Sequence, residues 1–461
     1  MNTRAHPPGA PQTGFRLDLN RCTGCQACAL ACILENELPA QGAWRRVEDF
    51  NPEGLAGLPA FHLSLACNHC DESPCATACP ANAYRRDAAT GALLIQAERC
   101  IGCRYCSWAC PFDAPRFDTR TRTMGKCTLC APRLGEGRAP ACVTSCPTGA
   151  LAAGPLAEIA GGGAVAALTG FPPSAAGPRL RLIPLRPGAH GPLPDLPPPP
   201  GGAFAAPPGP PEDGGRSLSL REEWPLVLFT WAAPFLVALK LDTLPPCRLD
   251  RPWPILIGGL LAMALSAAHL GRPLRAWRAL AGSGHSWLSR EILAFALFVA
   301  LAGALPLAFL PEAPYAIGLA GALAGLAALY AMDRLYDVAL PRRGLGGLHG
   351  AEALPTALVY TAALRGWAWP LAALLAIKLV FWIARRAGEP RPWAPLALAR
   401  VGLGILAPAA LLAAGRPPAA PLMLALIAAG ELLERADFYR SLRLASPRRE
   451  LTHALVAPRQ R

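Results

Sequence analysis

Several features that define common protein classes are scarce in this sequence. Four of its eight histidines follow residue 220, and they are His269, His285, His349 and His453. A b-type haem needs axial ligands, usually paired histidines. Since only His269 falls in an apolar segment, we expect no haem. The stretch from Met1 to Phe15 has neither an apolar run nor a twin-arginine pair, so we expect no cleavable export signal there.

Charge is also sparse, at 16% of residues for a net charge of +13. Residues 1–150 carry 15 Lys and Arg against 13 Asp and Glu, so most of the excess lies downstream. There the arginines flank apolar stretches, and no basic patch alternates with aromatic residues, which indicates membrane topology and no nucleic-acid partner. The apolar segments hold only two lysines, Lys240 and Lys378, both toward segment ends. This scarcity disfavours a transporter or ion pump.

Cysteine, by contrast, is abundant, and sixteen of the seventeen cysteines form four quartets within the first 150 residues. Two quartets have the spacing C-x2-C-x2-C-x3-C, and three quartets end in Cys-Pro. The quartets are Cys22, Cys25, Cys28 and Cys32; Cys67, Cys70, Cys75 and Cys79; Cys100, Cys103, Cys106 and Cys110; and Cys127, Cys130, Cys142 and Cys146.

This spacing is typical of [4Fe-4S] ligands, in which three close cysteines hold one cluster and the fourth reaches a neighbouring cluster. Disulfides are disfavoured because the thiols are too crowded for sensible pairing geometry. Zinc is disfavoured because it usually binds isolated C-x2-C pairs, often with histidine; we therefore interpret His69 as a local hydrogen-bonding residue. The quartets predict four [4Fe-4S] clusters with all sixteen cysteines as ligands, each fourth cysteine opening a short helix. Cluster loading requires reduced thiols, so folding is expected to begin in the cytoplasm.

The composition divides the chain into four regions. Residues 1–190 are predicted to form an α+β ferredoxin-like domain, in which the insert Leu38 to Leu65 provides a strand and covers the clusters. Residues 191–220 are a Pro/Gly-rich linker, interpreted as a semi-rigid spacer in preference to a ligand for some groove. Residues 221–445 form an all-α polytopic membrane domain, and residues 446–461 a basic tail.

About eight apolar segments in the membrane domain approach the roughly 20 residues that a bilayer requires. The fifth is short and contains Pro355, so seven spans are also possible. The segments are 224–241, 253–271, 288–310, 313–333, 351–364, 367–384, 394–414 and 419–434.

Loop charges predict the orientation. With eight spans, eleven arginines lie around the second, fourth and sixth loops, against four arginines and one lysine around the others. The residues after the eighth span add seven arginines to the first side. By the positive-inside rule, that side is expected to face the cytoplasm, and the cluster domain lies on the same side. The membrane is then expected to be the bacterial inner membrane.

Two parts of the chain resemble subunits of dimethyl sulfoxide reductase. The first part resembles the four-cluster electron-transfer subunit, through Cys-Thr-Gly-Cys-Gln-Ala-Cys at 22–28, Cys-Asn-His-Cys at 67–70, Cys-Ile-Gly-Cys-Arg-Tyr-Cys at 100–106 and Lys126 to Pro147. The second resembles the eight-helix anchor subunit, through His269 to Pro273 with Arg275-Ala276, Ser289-Arg290-Glu291 and Gly430 to Tyr439. The chain therefore resembles a fusion of the two.

The resemblance implies an electron-transfer and anchor subunit that connects the quinone pool to a separate molybdopterin catalytic subunit. It also implies which cysteines share a cluster, which spacing alone leaves open. The implied sets are Cys22, Cys25, Cys28 and Cys146; Cys32, Cys127, Cys130 and Cys142; Cys67, Cys70, Cys75 and Cys110; and Cys79, Cys100, Cys103 and Cys106.

Without haem, quinone must exchange electrons directly with a cluster, and three residues are candidates for its site. His269 ends the second span, and Glu291 begins the third. Histidine titrates near neutrality and a carboxylate can carry protons away, as quinol oxidation requires. Arg272 is expected to orient the headgroup. Alternatively, His269 only caps a helix and Glu291 pairs with Arg290 or Arg272.

Three functions follow from these expectations. The first is dimethyl sulfoxide reductase-like anaerobic electron transport. The second is a cytoplasm-facing sulfite-oxidising enzyme, which the loop charges favour. The third is a membrane redox sensor, for which the sequence shows no signalling domain.

Overall fold

The computed structural model describes residues 12–51, 59–166, 175–186, 220–244, 252–308, 315–337, 352–386, 395–414, 420–442 and 444–456. The chain divides into two units, one formed by residues 1–216 and 444–461 and the other by residues 217–443. The predicted linker lies outside the described residues except for Leu220, and so does Cys247.

Short strands and short helices form the first unit. Its described strands are β1 (Thr13–Asp18), β2 (Arg46–Phe50), β3 (Phe61–Leu65), β4 (Tyr84–Arg86), β5 (Leu93–Ile95), β6 (Arg116–Asp118), β7 (Thr123–Gly125), β8 (Leu151–Pro155) and β9 (Leu180–Ile183). Its described helices are α1 (Ala27–Glu35), α2 (Pro74–Ala78), α3 (Tyr105–Ala109), α4 (Ala131–Gly135), α5 (Ala141–Thr144), α6 (Leu156–Ile159) and, after the second unit, α17 (Pro447–Val456).

A three-stranded sheet closes one side of this unit. Strand β1 lies in its centre, antiparallel to β8 and parallel to β9. Phe15 and Leu17 of β1 are buried, which places the sheet against the core. The other strands form three antiparallel hairpins: β2–β3, β4–β5 and β6–β7. The insert between the first two quartets thus provides a pair of strands rather than one.

The short helices are placed differently from the sequence-based expectation. Helices α2 and α3 end at Cys79 and Cys110, the fourth cysteines of their quartets, and do not begin there. Both cysteines have extended backbone, with ψ of 115° and 113°. Each precedes a proline, whose ring disfavours the helical conformation in the residue before it. The Cys-Pro pair therefore terminates the helix.

Helices make up the described part of the second unit. They are α7 (Leu220–Asp242), α8 (Pro252–Ala268), α9 (Trp287–Val299), α10 (Leu305–Ala308), α11 (Tyr315–Tyr336), α12 (Ala353–Leu364), α13 (Ala368–Arg386), α14 (Pro395–Val401), α15 (Ala407–Ala413) and α16 (Ala420–Ser441). A 3₁₀ helix, Pro273–Gly282, follows α8. Two π-helical turns, Ala300–Ala304 and Gly402–Leu406, join α9 to α10 and α14 to α15.

Every predicted span contains a helix, but within the described ranges fewer than eight helices meet the requirements for crossing a bilayer. Among the described residues four helices are long and apolar enough: Leu220–Asp242, Trp287–Ala308, Tyr315–Tyr336 and Pro395–Ala413. A fifth span results if α8 and the 3₁₀ helix, which meet at 98°, count as one. Helix α12 and the apolar part of α13, Ala368–Ala384, are shorter. The count of eight stays a prediction.

Two glycines allow a close crossing late in the second unit. A Cβ atom built on Gly430 of α16 would lie 2.2 Å from the Cα of Gly404 in the second π turn. Any side chain at this point would force the two helices apart. The contact brings the polar residues that follow Gly430 next to those that precede Gly404.

Candidate functional site: four cysteine groups

The sixteen quartet cysteines lie in four groups, each joining three cysteines of one quartet to one cysteine of another. Three groups line cavities. They are group A (Cys22, Cys25, Cys28 and Cys146), group B (Cys32, Cys127, Cys130 and Cys142) and group D (Cys79, Cys100, Cys103 and Cys106).

Group C consists of four cysteines that lie close enough to interact electrostatically: Cys67, Cys70, Cys75 and Cys110. The four groups coincide with the sets that the resemblance implies. In every quartet the last cysteine belongs to a different group from the first three: Cys32 to group B, Cys79 to group D, Cys110 to group C and Cys146 to group A.

The groups follow one another in the order A, B, C, D. Groups A and B share Arg45, which is near Cys28 of one and Cys127 and Cys142 of the other. Cys127 of group B is also near Cys67 of group C. Tyr84 is fully buried between Cys75 of group C and Cys106 of group D.

A tight turn precedes the second cysteine in each quartet. The residue before that cysteine has a positive φ in all four cases: Gly24 (71°), His69 (46°), Gly102 (71°) and Leu129 (61°). Glycine adopts this conformation freely, whereas His69 and Leu129 adopt it at a cost of about 1 kcal/mol or more each. Strain of this kind persists where the surrounding structure requires it, often at functional sites.

The turns direct backbone N–H groups at the sulfurs. His69 and Leu129 donate to the Sγ atoms of Cys67 and Cys127 at 3.4 and 3.3 Å. Ala83 and Met124 donate to Cys79 and Cys100 at 3.3 and 3.4 Å. Hydrogen bonds to sulfur are among the factors that set iron–sulfur reduction potentials.

Burial raises the pKa of several of the thiols. Burial raises the pKa of Cys110 to about 12. The backbone N–H of Ala114 acts to lower this pKa, and the sulfur of Cys67 acts to raise it. Burial also raises the pKa of Cys70, Cys75 and Cys127 above the ordinary value. These thiols lose their protons only to a cation that replaces them.

The arrangement suits a cluster better than a single ion. Four thiolates around one zinc, at about 2.3 Å each, would bring the sulfurs within about 4 Å of one another. In the part of the chain that the structure describes, no three His, Cys, Asp or Glu residues are placed to hold one metal ion. The sulfurs of groups A, B and D instead surround cavities, and the residues present fit an iron–sulfur cluster. His69 lies beside the thiols as a hydrogen-bonding residue, because its Nδ1 accepts from Leu93 N at 3.0 Å.

The three quinone-site candidates lie in two places in the second unit. His269 and Arg272 are half-buried in the bend between α8 and the 3₁₀ helix. Glu291 is buried at 5% exposure in α9, with Asp333 and Tyr336 of α11 as electrostatic neighbours.

The surroundings of Glu291 differ from the alternative of a simple headgroup ion pair. The guanidinium of Arg290 donates to the carbonyl oxygens of Ser283 and Gly284 at 3.1 and 3.0 Å. Asp333 accepts from Ala353 N at 2.7 Å and from Leu354 N at 3.3 Å, so it caps the start of α12. Glu291 therefore lies inside the helical unit, beside a carboxylate engaged in a structural contact.

A buried charged cluster is the feature that the sequence analysis missed. Lys378 of α13 pairs with Glu431 at 2.5 Å and with Glu434 at 3.3 Å, both on α16. Arg400 of α14 pairs with Glu434 at 2.5 Å. Thr356 of α12 donates to Glu431 at 2.7 Å. All these residues are 5% exposed or less. The signal available in the sequence was a lysine and an arginine inside otherwise apolar segments.

The cysteine groups and the apolar helices together define a membrane-anchored iron–sulfur electron-transfer protein. Comparison with known proteins agrees. Residues 59–156 match a 4Fe-4S dicluster domain, and residues 253–340 match the DMSO reductase anchor subunit (DmsC).

Curated relatives resemble the first part of the chain. The probable anaerobic dimethyl sulfoxide reductase chain YnfG of Escherichia coli (strain K12) is 39% identical over 157 residues, which cover 32% of this chain and 76% of that protein. An anaerobic dimethyl sulfoxide reductase component of the same organism is 38% identical over the same shares. A sulfite dehydrogenase component of Allochromatium vinosum is 34% identical over 160 residues, 30% of this chain and 67% of that protein.

The chain belongs to the family of dimethyl sulfoxide reductase iron–sulfur subunits. It also carries an anchor domain of the same enzyme family, so it is a fusion of the two. It is a multi-pass membrane protein that acts in an oxidoreductase complex, which implies a separate catalytic subunit.

Proposed function

We propose that this chain relays electrons between the quinone pool and a separate molybdopterin catalytic subunit, through four [4Fe-4S] clusters held by groups A to D. The observation that carries the proposal is the continuous order of the four groups. Successive groups share a neighbouring residue, Arg45 or Tyr84, or have electrostatically interacting cysteines, as Cys127 and Cys67 do. Each bound cluster supplies a centre that takes up and passes on one electron at a time.

Ligand arrangement supports the relay. Every quartet contributes to two groups, so displacement of one cluster would loosen the loop of its neighbour. Most of the cysteines are buried, so little water reaches the clusters that they would hold. Solvent access is one of the factors that set the reduction potential of a metal centre. These properties suit fixed centres that exchange electrons without large movements.

Quinone exchange is assigned to the region of His269, Arg272 and Glu291. Quinol oxidation yields two electrons and two protons, and quinone reduction takes up the same numbers. In this role His269 and Glu291 take the two hydroxyl protons or return them, and Arg272 orients the headgroup by a charge-assisted hydrogen bond. The burial of Glu291 beside Asp333 supports a role other than anchoring at the membrane surface.

The separate catalytic subunit determines which substrate is reduced or oxidised. The favoured function is dimethyl sulfoxide reductase-like anaerobic electron transport, supported by the similarity to the iron–sulfur and anchor components of that enzyme. The second candidate is sulfite oxidation with quinone as acceptor. Two observations favour it. With eight spans, the loop arginines favour a cluster domain on the cytoplasmic side. The chain is also similar to the sulfite dehydrogenase component of Allochromatium vinosum.

The first experiment isolates the complex from native membranes and identifies the large subunit that accompanies this chain. A molybdenum subunit that reduces dimethyl sulfoxide with quinol is the expected result. Sulfite-dependent reduction of a quinone analogue would establish the second candidate. Isolation of the chain without any molybdenum subunit would contradict both and favour a redox sensor.

The second experiment tests the quinone site in the same complex. His269→Ala and Glu291→Gln are each expected to slow cluster reduction by quinol at least tenfold, while reduction by dithionite is unchanged. His285→Ala and Asp337→Asn are the matched controls, since they remove another histidine and another carboxylate of the helical unit. Wild-type rates in both test variants would contradict the assignment.

A further inference from the structure

Arg45 lies between groups A and B, and it is only 2% exposed. Its side chain lines the cavity of group B. The sulfurs nearest to its charge are those of Cys142 and Cys127 in group B and Cys28 in group A. A complete positive charge is therefore placed inside the cysteine-rich core, between two neighbouring groups.

The contacts of Arg45 fix its position but leave part of its guanidinium unused. Nη1 donates to the carbonyl oxygen and to Oγ of Ser64, both at 3.2 Å. The guanidinium carbon lies 4.3 Å from the centre of the Phe15 ring. Nε and Nη2 are buried and make no hydrogen bond of ordinary geometry to the described protein groups, and the acceptor beside the guanidinium is the sulfur of Cys142. Buried arginine donors without a partner are costly, so they point to a group that the cavity receives.

Other buried cations of the first unit use their donors differently. Arg86 donates to the carbonyl oxygens of His69, Gly91 and Cys70. Arg179 forms an ion pair with Asp71 at 2.7 Å. Lys126 donates to the carbonyl oxygens of Leu93 and Cys127. Lys126 and Arg86 also lie near sulfurs, but their donors are engaged by these backbone carbonyls. Arg45 differs because two of its buried nitrogens have no such acceptor.

Electrostatics gives the same result. An arginine side chain is not deprotonated in proteins, even where it is buried as completely as Arg45. Arg45 thus stays charged in the core. A fixed cation at this position stabilises negative charge added to the cavity, and the low dielectric constant of the core strengthens the effect.

We propose that Arg45 raises the reduction potential of the cluster in group B, and to a smaller extent that of the cluster in group A. The proposal rests on the proposed function, because it requires both groups to hold clusters. The step concerned is the transfer of one electron from a reduced cluster in a neighbouring group, which is oxidised, to the cluster in group B, without a proton. The charge of Arg45 offsets the negative charge that group B gains. Group B would then hold the electron more readily than it would without this residue.

The test is a redox titration of the full complex with chemical mediators, in which electron paramagnetic resonance follows each reduced cluster. Arg45→Met is expected to lower the ratio of reduced to oxidised group B cluster at least tenfold at a fixed solution potential. For a one-electron couple this equals a downward shift of about 59 mV. Arg45→Lys keeps the charge and is expected to shift the ratio less than Arg45→Met does.

Arg46→Met is the matched control. It removes the same charge one residue away, where the side chain is half-buried and donates to the Asp113 carbonyl oxygen at 2.8 Å. We expect the ratio of reduced to oxidised cluster to change less than twofold in every group. Cys142→Ser identifies the resonance of group B, because that resonance is the one lost or altered.

The outcomes separate the two proposals. Wild-type potentials in Arg45→Met would overturn the inference about Arg45 and leave the relay intact. If Arg45→Met does not load its clusters, Arg45→Gln, which retains an amide donor without the charge, carries the same expectation of a tenfold change. Absence of [4Fe-4S] resonances from the wild-type complex would instead contradict the proposed function itself.

Discussion

At the level of single residues, the cysteines differ in their surroundings more than in their spacing. Cys25 is exposed, whereas Cys110 is buried and has its pKa raised to about 12. Cys146 is the opposite case: burial acts to raise its pKa, but the backbone N–H of Leu151 and the donors of residues 148 and 150 outweigh burial and lower it. Ligands of one group can therefore contribute unequally to cluster charge and stability.

Serine substitutions test the grouping directly. Cys110→Ser and Cys75→Ser are expected to alter the same resonance, because both residues belong to group C. Cys106→Ser and Cys79→Ser are expected to alter a different one, that of group D. Cys106 and Cys110 share a quartet, so a common effect of these two variants would contradict the grouping.

The control for this series is Cys247→Ser, which changes the one cysteine outside the quartets. We expect it to retain all iron and all resonances. The measurement is the iron content of the purified complex together with its electron paramagnetic resonance spectrum after reduction.

At the level of elements, the cysteine-bearing turns depend on backbone conformations that most residues avoid. Gly24 and Gly137 have nearly the same φ, 71° and 72°. A Cβ on Gly24 would lie 2.6 Å from Nδ1 of His62, whereas Gly137 has nothing within 4 Å. Alanine substitutions at these two glycines therefore separate the cost of the positive-φ backbone from the cost of a steric clash with His62.

Gly24→Ala is expected to lower the temperature at which the iron–sulfur absorbance is lost more than Gly137→Ala does. Both variants carry about 1 kcal/mol of backbone strain. Gly24→Ala must in addition displace His62, which contacts Asp49 at 2.7 Å. Equal decreases in the two variants would show that the turn at Gly24 relaxes and that the contact with His62 costs no stability.

The helices of the second unit are joined by the charged cluster of Lys378, Arg400, Glu431 and Glu434. Lys378→Met leaves two buried carboxylates with one cation fewer, and breaking a buried pair in this way costs about 3 to 5 kcal/mol. We expect a large decrease in the thermal stability of the purified chain in detergent. The double variant Lys378→Met with Glu431→Gln is the control and should recover at least half of the decrease. Equal stability of the single and double variants would contradict an electrostatic role.

At the level of the whole molecule, the two units depend on different sources of stability. The helices of the first unit that carry cysteines are short, with nine residues in α1 and four in α5. Isolated helices below about 12 residues are marginal in water, so these need the bound groups and the surrounding core. The second unit contains helices of up to 23 residues and packs them against one another.

Removal of iron with a chelator under reducing conditions is expected to unfold the first unit while the second keeps its helices. Far-ultraviolet circular dichroism should show a partial loss of signal, with most of the helical signal retained up to the thermal transition of the second unit. Complete loss of helix on iron removal would show that the two units unfold together. An unchanged spectrum would show that the first unit is stable without its clusters.

Local patterns account for the parts of the structure that the sequence predicted. The quartet spacings, the Cys-Pro pairs and the apolar segments are each contained in a short stretch of chain. They predicted an iron–sulfur unit of strands and short helices, followed by membrane helices. The position of the short helices was wrong, because the restriction that proline places on Cys79 and Cys110 ends a helix there instead of starting one.

By itself the sequence determined the chemistry of the ligands and the class of the protein, since ligand type and spacing decide which metal group can bind. The tertiary structure decided which cysteines share a cavity, that Arg45 lies between two groups, and that Lys378 pairs with carboxylates 53 and 56 residues away. These arrangements arise from contacts between distant segments. Their energy depends on which buried charges and donors the folded core brings together, and no periodicity along the chain encodes that.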